Sequence, residues 1–444
     1  MPPSLQPAPV PEANYPARSG NTVAVLIDGR ETFTRIFSVI GQATGSVWIT
    51  VSFFDPDFRL NPKGPTLFEF LEERAEAGID VRLLFWWSEY PGIGSFRGDE
   101  EDLKALRARG SKVKMRWDRV PRGCHHQKSH IIDGQTAFVG GINLNHDGLS
   151  SPSHRDGGFH DLFAEVRGPA AADVEANFRQ RWNSASETDR LVYPCAEEAD
   201  DLPEQTRTGL SPATQPSGST VQVLRTIAAG LYAAGQGKGE DSIVRAILAD
   251  IESAGRSIYI ENQYLIDIAT IEALERAARR GVEVIAVLPL RPDPNLALYK
   301  KEKLAETTLA LKALLDSGRA ALFGLEEGGR MVYVHAKLLI VDDNTLNLGS
   351  ANLWPPSYRR DSELNLRIWD RRLAATTRAR LWKEHLDGAR AEGVRDWIGL
   401  ATEAGARPTG GPGLHVRARL IDVNNYYRFE PDSAPWQGIE ARDG

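Results

Sequence analysis

The chain has 444 residues, of which 41% are apolar and 25% are charged, and its formal net charge is −7. This is enough apolar material for two domains of ordinary size, and two cysteines are too few to form a disulfide framework. The acidic balance argues against general nucleic-acid binding, and the sequence has no apolar run long enough to predict a transmembrane helix.

Composition predicts five segments in chain order. Proline dominates the N-terminus, and a stretch near residue 210 rich in Pro, Ser, Thr and Gly lacks apolar periodicity, as linkers do. The predicted segments are a disordered N-terminus (1–20), a first domain (21–205), a linker (206–219), a second domain (220–404) and an extension (405–444). A short apolar stretch in the extension, 414–423, is a candidate for an added strand.

Both predicted domains begin with the same succession of elements. A strand-like segment is followed by an amphipathic helix that ends at glycine and then by a buried strand, which is an α/β pattern. The paired segments are 46–51 with 257–262, 67–78 with 271–281, and 79–84 with 282–287. The correspondence indicates an internal duplication.

Further along, each half carries the motif His-x-Lys-x4-Asp. The first copy runs from His126 to Asp133 and the second from His335 to Asp342. A small residue pair and an asparagine follow at the same distance in both copies, ending at Asn143 and Asn352. Turn-forming residues between apolar runs predict a hairpin in each copy, with the His-x-Lys piece on a strand.

Residues two apart on a strand share a face, so each half would present one imidazole beside one ammonium group. These pairs are His126 with Lys128 and His335 with Lys337. The return strand brings small residues that leave room for an anion and an asparagine whose amide can donate. Two histidines, two lysines and two asparagines would form one phosphate site with a nucleophile and an acid in it.

The duplicated motif, with its Gly-Gly or Gly-Ser pair and asparagine, resembles the signature of the phospholipase D superfamily from about Val23 to Trp382. Flanking segments resemble phospholipase D more than its nuclease or cardiolipin synthase relatives. They are 125–128, 140–144, 160–162 leading to 168–169, 178–182 and 258–263. Two positions depart from the family pattern. Phe159 stands where many members have Trp, and Asn143 stands where eukaryotic phospholipases often have Asp.

The resemblance implies an α/β fold of two similar α/β/α sandwich domains, related by a pseudo-two-fold axis, with a single active site at their interface. It also implies a monomer whose two halves form an internal pseudo-dimer. Phosphodiester chemistry needs neutralised phosphate oxygens, an in-line nucleophile and an acid for the leaving oxygen. Lys128, Lys337, Asn143 and Asn352 would supply the first.

By the same resemblance, His126 is the expected nucleophile, and it would form a phosphohistidine. His335 would protonate the leaving alcohol and then activate water or an acceptor alcohol. Each imidazole needs a carboxylate on its far nitrogen, and Asp161 and Glu363 match the acidic positions of the family.

Three further groups of residues are expected to have supporting or structural roles. Asp133 and Asp342 fall at hairpin turns and are expected to tie the turns rather than to touch substrate. Cys124, His125, His126 and His130 form a cluster that suggests zinc, but no second ligand pair stands at metal spacing, so neither a metal nor another cofactor is expected. His146, His154 and His160 are interpreted as surface or supporting residues rather than ligands.

The favoured function is that of a phospholipase D, which hydrolyses a phosphatidylcholine-like lipid to phosphatidate and the headgroup alcohol, with transfer to alcohols as a side reaction. The alternatives are a cardiolipin synthase that joins two phosphatidylglycerols, a phosphodiesterase or nuclease, and a non-catalytic lipid-binding module. The expected partner is phospholipid at a membrane surface, without nucleic acid. Because no secretory signal is visible at the N-terminus, a cytoplasmic or peripheral membrane location is expected. Trp86, Trp87 and Trp354 would meet acyl chains or pack in the core.

Overall fold

The computed structural model describes residues 8–11, 13–55, 57–87, 108, 110–118, 120, 123–185, 200–203, 218–231, 239–293, 296, 299–406 and 415–427. Most of the predicted linker, 206–217, lies outside these residues.

The N-terminal half is organised round a seven-stranded sheet within the described residues. Its strands are β1 (Arg18–Ile27), β2 (Ser46–Val51), β3 (Asp80–Trp86), β4 (Lys114–Asp118), β5 (Ser129–Ile132), β6 (Thr136–Gly140) and β8 (Leu162–Arg167), and the short β7 (Phe159–His160) lies outside this sheet. The order across the sheet is β1–β8–β6–β5–β2–β3–β4. Strands β2, β3 and β4 are parallel, and the other pairs are antiparallel.

Seven strands of the C-terminal half repeat this arrangement, and three short strands are added to them. Its strands are β9 (Ser219–Ile227), β10 (Glu240–Asp241), β11 (Ser257–Asn262), β12 (Glu283–Val287), β13 (Ala320–Glu327), β14 (Arg330–Val334), β15 (Lys337–Val341), β16 (Thr345–Gly349), β17 (Glu363–Trp369) and β18 (Ala418–Leu420). The order is β9–β17–β16–β15–β11–β12–β13, with β11, β12 and β13 parallel. The predicted duplication of an α/β domain is therefore confirmed.

Helices connect and cover the two sheets. They are α1 (Asp28–Ile40), α2 (Leu67–Glu76), α3 (Pro169–Ala185), α4 (Ser242–Ser253), α5 (Ile268–Arg279), α6 (Lys301–Leu315), α7 (Pro355–Arg359), α8 (Arg371–His385), α9 (Val394–Ala406) and α10 (Val423–Tyr426). Local sequence sets their starts: Thr66 and Glu69 form a capping box at α2, and the Asp267 side chain caps α5. Among the described helices, none has the length and apolar character to cross a bilayer.

Three apolar clusters hold the layers together. One outer cluster packs α1 and α2 on the first sheet, and another packs α4, α5 and α6 on the second. The central cluster contains residues from both sheets together with α3, α8 and α9, so the two halves share a core. At one edge β1 also pairs with β9, which links the two sheets.

Three local features of the fold bear on the sequence predictions. In the N-terminal segment predicted to be disordered, Val10 and Tyr15 are buried and the Val10 backbone is bonded to the Gln222 side chain, so the prediction is wrong for these residues. The apolar stretch of the extension does add a strand, β18, beside β13. His126, Lys128 and His335 precede β5 and β15 instead of lying on them. The backbone N–H groups of both histidines are bonded to the opposite half rather than to a neighbouring strand of their own sheet.

Candidate active site

The two hairpins that carry the motifs are fixed by their turn aspartates. Asp133 and Asp342 have positive φ angles of 53° each, as a tight hairpin turn requires. The Asp133 carboxylate accepts backbone N–H groups from residues 44–46, and Asp342 does the same for residues 255–257. Each turn is thereby tied to the start of the adjacent strand, β2 or β11, and neither aspartate side chain contacts the motif histidines.

His126 is held by a carboxylate of the other half. Its Nδ1 atom lies 3.0 Å from both carboxylate oxygens of Glu363, which is fully buried at the start of β17. The approach is fixed by backbone bonds between the halves, since His126 N donates to Ser362 O at 2.9 Å and Ser362 N donates to Cys124 O at 2.8 Å. The chain segment before β5 therefore crosses to the second domain.

His335 shows the reciprocal arrangement. Its Nδ1 atom donates to Asp161 Oδ2 at 2.6 Å, and Asp161 belongs to the first half. The contact is fixed by the parallel pairing of β7 with β14 and by the bond from His335 N to His160 O at 2.8 Å. Each imidazole thus pairs through Nδ1 with a carboxylate of the opposite domain. The Nε2 atom takes no part in this pairing.

The two lysines are buried and oriented by hydrogen bonds. Lys128 Nζ donates to Ser52 Oγ at 2.9 Å and to His126 O at 2.6 Å. Lys337 Nζ donates to Gln263 Oε1 at 3.1 Å and to His335 O. Ser52 follows β2 just as Gln263 follows β11, so the two residues are counterparts. Sequence reasoning missed Ser52, and its position after a repeated strand was the signal that would have found it.

The two asparagines lie beside these lysines. Asn143 Oδ1 accepts the backbone N–H groups of Ser52 and Phe53, both at 3.3 Å. Asn352 Nδ2 donates to Gln263 Oε1 at 3.4 Å, and Asn352 is buried. The asparagines therefore support the strand ends that hold Lys128 and Lys337. Their predicted contact with phosphate stays a prediction.

The small-residue pairs make room for the carboxylates in two different ways. A Cβ at Gly141 would stand 2.4 Å from Asp161 Oδ1, so only glycine fits there without a shift. At the equivalent position Ser350 donates its hydroxyl to Glu363 Oε2. In the first half, the lack of a side chain at Gly141 leaves room for the Asp161 carboxylate. In the second half, the hydrogen bond from Ser350 positions the Glu363 carboxylate.

Burial and mutual repulsion set the charges of the four basic groups. Burial lowers the pKa of Lys128 to about 8 and that of Lys337 to about 7. Burial, followed by repulsion from both lysines, holds the pKa values of His126 and His335 well below the usual range. The two lysines therefore influence the charge of both imidazoles. Both imidazoles are neutral near pH 7.

The two carboxylates are shifted in the opposite direction. Burial raises the pKa of Glu363 to about 7 and that of Asp161 to about 6, against the pull of the lysines. A neutral imidazole that donates Nδ1–H to a carboxylate has a basic Nε2, which suits attack on phosphorus. An anionic diester between the lysines would favour a second proton on the site, which is the proton that a leaving alcohol needs.

Aromatic rings lie near several residues of the site. Phe159, found where Trp was expected from the family, stacks on the His335 ring with centroids 5.5 Å apart. Trp354 stacks on Tyr264 at 4.5 Å, and Trp86 lies 5.8 Å from Phe53. Trp86 is buried and packs in the protein interior.

The residues of the suspected zinc cluster point to separate partners. His125 Nδ1 is bonded to Asp118, whose carboxylate also pairs with Arg181. The His130 ring packs on Phe163, and burial lowers the pKa of His130 to about 3. With His126 committed to Glu363, these neighbours in sequence do not converge on one point.

Comparison with known families and proteins gives the context of this geometry. The family model "Cardiolipin synthase, PLD-like domain" matches residues 36–182 and 247–384, which together make up more than half of the chain. A second model, "Phospholipase D", matches residues 147–278.

Two similar curated proteins are cardiolipin synthases. The major cardiolipin synthase ClsA of Bacillus subtilis (strain 168) is 27% identical over 358 residues, covering 79% of this chain and 66% of the relative. The cardiolipin synthase of Staphylococcus aureus (strain Mu50) is 27% identical over 366 residues, covering 80% and 65%. The chain thus spans slightly less than two thirds of the length of these relatives.

Among solved structures, phosphatidylserine synthase of Haemophilus influenzae Rd KW20 superposes with a TM-score of 0.57 at 17% identity, covering 83% of this chain and 87% of that one. At this identity the likeness shows the fold.

The favoured prediction of phospholipase D hydrolysis is wrong, because the relatives and the larger family match carry the name cardiolipin synthase. The flanking segments that suggested phospholipase D contain residues that support the candidate site. Gln127, for example, bonds Ser362 and Glu363, and Gln263 bonds Lys337. The duplicated motif, the paired sheets and the family match together show that this chain belongs to the phospholipase D superfamily.

Proposed function

We propose that this protein is a phosphatidyltransferase of the cardiolipin synthase type, which joins two phosphatidylglycerol molecules and releases glycerol. The observation that carries the proposal is the exchange of carboxylates between the halves, His126 with Glu363 and His335 with Asp161, in a chain whose relatives bear that name. Such a site has two imidazoles in equivalent settings, as a reaction of two successive displacements needs.

In the first displacement, His126 Nε2 attacks the phosphorus of one phosphatidylglycerol. His335 holds the second proton that the bound anionic diester favours. A nitrogen–phosphorus bond forms while the bond from phosphorus to the glycerol headgroup oxygen breaks, and His335 gives that proton to the departing oxygen. Lys128 and Lys337 offset the charge of the phosphate oxygens. The product is a phosphatidyl group on His126 and free glycerol.

In the second displacement, a glycerol hydroxyl of another phosphatidylglycerol replaces the first leaving group. His335, now neutral, takes the proton of that hydroxyl as its oxygen attacks phosphorus, and the bond to His126 breaks. Cardiolipin leaves, and the site returns to its starting charge. Because the donor and acceptor are both phosphatidylglycerol, one lipid is sufficient.

Burial of the site favours an alcohol over water as the second acceptor. Only 16% of the His126 side chain and 12% of the His335 side chain are exposed. Both lysines are buried as well. Restricted water access protects a phosphohistidine from hydrolysis, and the aromatic rings near the site suit a lipid acceptor.

The test is to supply purified protein with phosphatidylglycerol as the sole lipid in detergent micelles and to quantify products by mass spectrometry. The expected products are equal amounts of cardiolipin and glycerol, with little phosphatidate. His126→Ala should abolish the reaction, whereas His146→Ala, a change at an exposed histidine, should not. Phosphatidate and glycerol without cardiolipin, or no turnover by folded wild type, would contradict the proposal.

A further inference from the structure

Behind the candidate active site lies a second polar cluster that the transfer steps do not use. Asp28, His154 and His160 come from the N-terminal half, and Glu384 comes from α8 of the C-terminal half. The four side chains are between 0% and 6% exposed. One oxygen or nitrogen atom from each lies within 4.8 Å of the others. The cluster is thus a buried contact between the two domains.

Nitrogen and oxygen atoms alternate round this cluster. His160 Nδ1 lies 3.0 Å from Asp28 Oδ1 and 3.3 Å from Glu384 Oε1. His154 Nε2 lies 3.0 Å from Glu384 Oε1 and 3.6 Å from Asp28 Oδ2. Ligands of a tetrahedral Zn²⁺ at its usual bond lengths stand about 3.4 Å from one another. The four measured separations lie close to that spacing.

The environment of one carboxylate oxygen also indicates a bound cation. Asp28 Oδ2 is fully buried and has no hydrogen-bond partner among the described residues. Leaving a carboxylate oxygen unpaired in the interior is costly. Moreover, each of the two histidine nitrogens faces two carboxylate oxygens, and a single N–H points at only one. A cation at the centre would contact all four side chains.

The surroundings resemble the support that metal-binding histidines receive. His160 Nε2 lies 2.8 Å from Glu261 Oε2, and Glu261 also pairs with His385 at 2.8 Å. A carboxylate on the other ring nitrogen is the usual partner of a metal-bound imidazole. Within the described parts of the chain, no lysine or arginine forms an ion pair with Asp28, Glu261 or Glu384. The negative charge is therefore balanced by imidazoles or by a bound cation.

One member of the cluster borders a cleft. An open cleft of about 180 Å³ is lined by His154 together with Asp147, Phe159 and Tyr333. A metal site needs an entry path, and this cleft is where such a path would begin.

We propose that Asp28, His154, His160 and Glu384 bind one divalent cation of the Zn²⁺ class, which joins the two domains. The site would hold the chain at His160, whose carbonyl accepts the His335 N–H and whose neighbour Asp161 pairs with the His335 ring. This departs from the sequence interpretation of His154 and His160 as surface or supporting residues. The role is structural and lies beyond the transfer reaction.

The test measures metal in full-length protein purified without a histidine tag. Elemental analysis should find one Zn²⁺ per chain, and equilibrium dialysis after chelator treatment should restore one equivalent. Co²⁺ in place of Zn²⁺ should give the intense visible absorption of a tetrahedral site. A folded wild type that binds neither metal stoichiometrically would overturn the proposal, and the cluster would then be a network of protonated imidazoles.

Variants test which residues bind the metal and which support it. His154→Gln should abolish stoichiometric binding, and Glu261→Gln, which leaves the four ligands in place, should weaken it by about 10- to 100-fold. His146→Gln is the matched control, because this histidine is 52% exposed and lies outside the cluster. Equal affinity in His154→Gln and wild type would count against the site. If His154→Gln does not fold, the wild-type and Glu261→Gln measurements decide.

Discussion

The division of labour between the two histidines can be tested with a substrate whose leaving group needs no proton. We expect Asp161→Asn to disturb the proton supply of His335 and Glu363→Gln to disturb attack by His126. Each substitution keeps the side-chain size while it removes a charge-assisted hydrogen bond, 2.6 Å long at Asp161 and 3.0 Å long at Glu363. Such a bond contributes about 1.5–3 kcal/mol, which corresponds to about 10- to 150-fold in rate.

With phosphatidylglycerol, both variants should therefore form the phosphatidyl-enzyme about 10- to 150-fold more slowly than wild type. With phosphatidyl-p-nitrophenol, whose phenolate leaves unprotonated, Asp161→Asn should return close to the wild-type rate, whereas Glu363→Gln should stay slow. The assay is single-turnover labelling with an alkaline quench, since phosphohistidine survives base. Glu392→Gln is the control, because that side chain is 72% exposed. Rescue of Glu363→Gln instead of Asp161→Asn would refute the assignment and make His335 the nucleophile.

Two further predictions concern the charge and the space of the site. Burial lowers the pKa values of Lys337 to about 7 and Lys128 to about 8, so the positive charges of both lysines are lost as pH rises. Because these charges attract the monoanionic phosphatidylglycerol, its KM should rise by about tenfold between pH 6 and pH 8. A pH series at constant ionic strength measures this, and a flat KM up to pH 9 would contradict it. Gly141→Ala places a Cβ 2.4 Å from Asp161 Oδ1 and should lower kcat by about 100-fold through displacement of that carboxylate. Gly399→Ala, where nothing lies within 4 Å, should leave kcat unchanged and raise stability by about 0.5–1 kcal/mol, so equal kcat in both variants would disprove the steric argument.

Local sequence was sufficient to predict the α/β fold, whereas the roles of the candidate site residues stay a prediction. Apolar runs on either side of the turn-forming residues 133–134 and 342–344 predicted the hairpins at β5–β6 and β15–β16, because these signals act between neighbours in the chain. The repeated motif likewise identified the histidines and lysines. The motif did not identify Ser52, which holds Lys128 only because β2 and β5 are adjacent in the folded sheet.

Contacts between the halves were beyond local patterns for a physical reason. A sequence motif records which side chains each domain presents, but the partner of His126 is decided by how two sheets pack, which depends on the shared central core. The crossing of His126 to Glu363 and of His335 to Asp161 makes each half incomplete without the other. If each histidine paired with a carboxylate of its own domain, neither pair would depend on the other domain. Here neither half alone has both an imidazole and its carboxylate, so catalytic competence in the proposed reaction is tied to the domain interface.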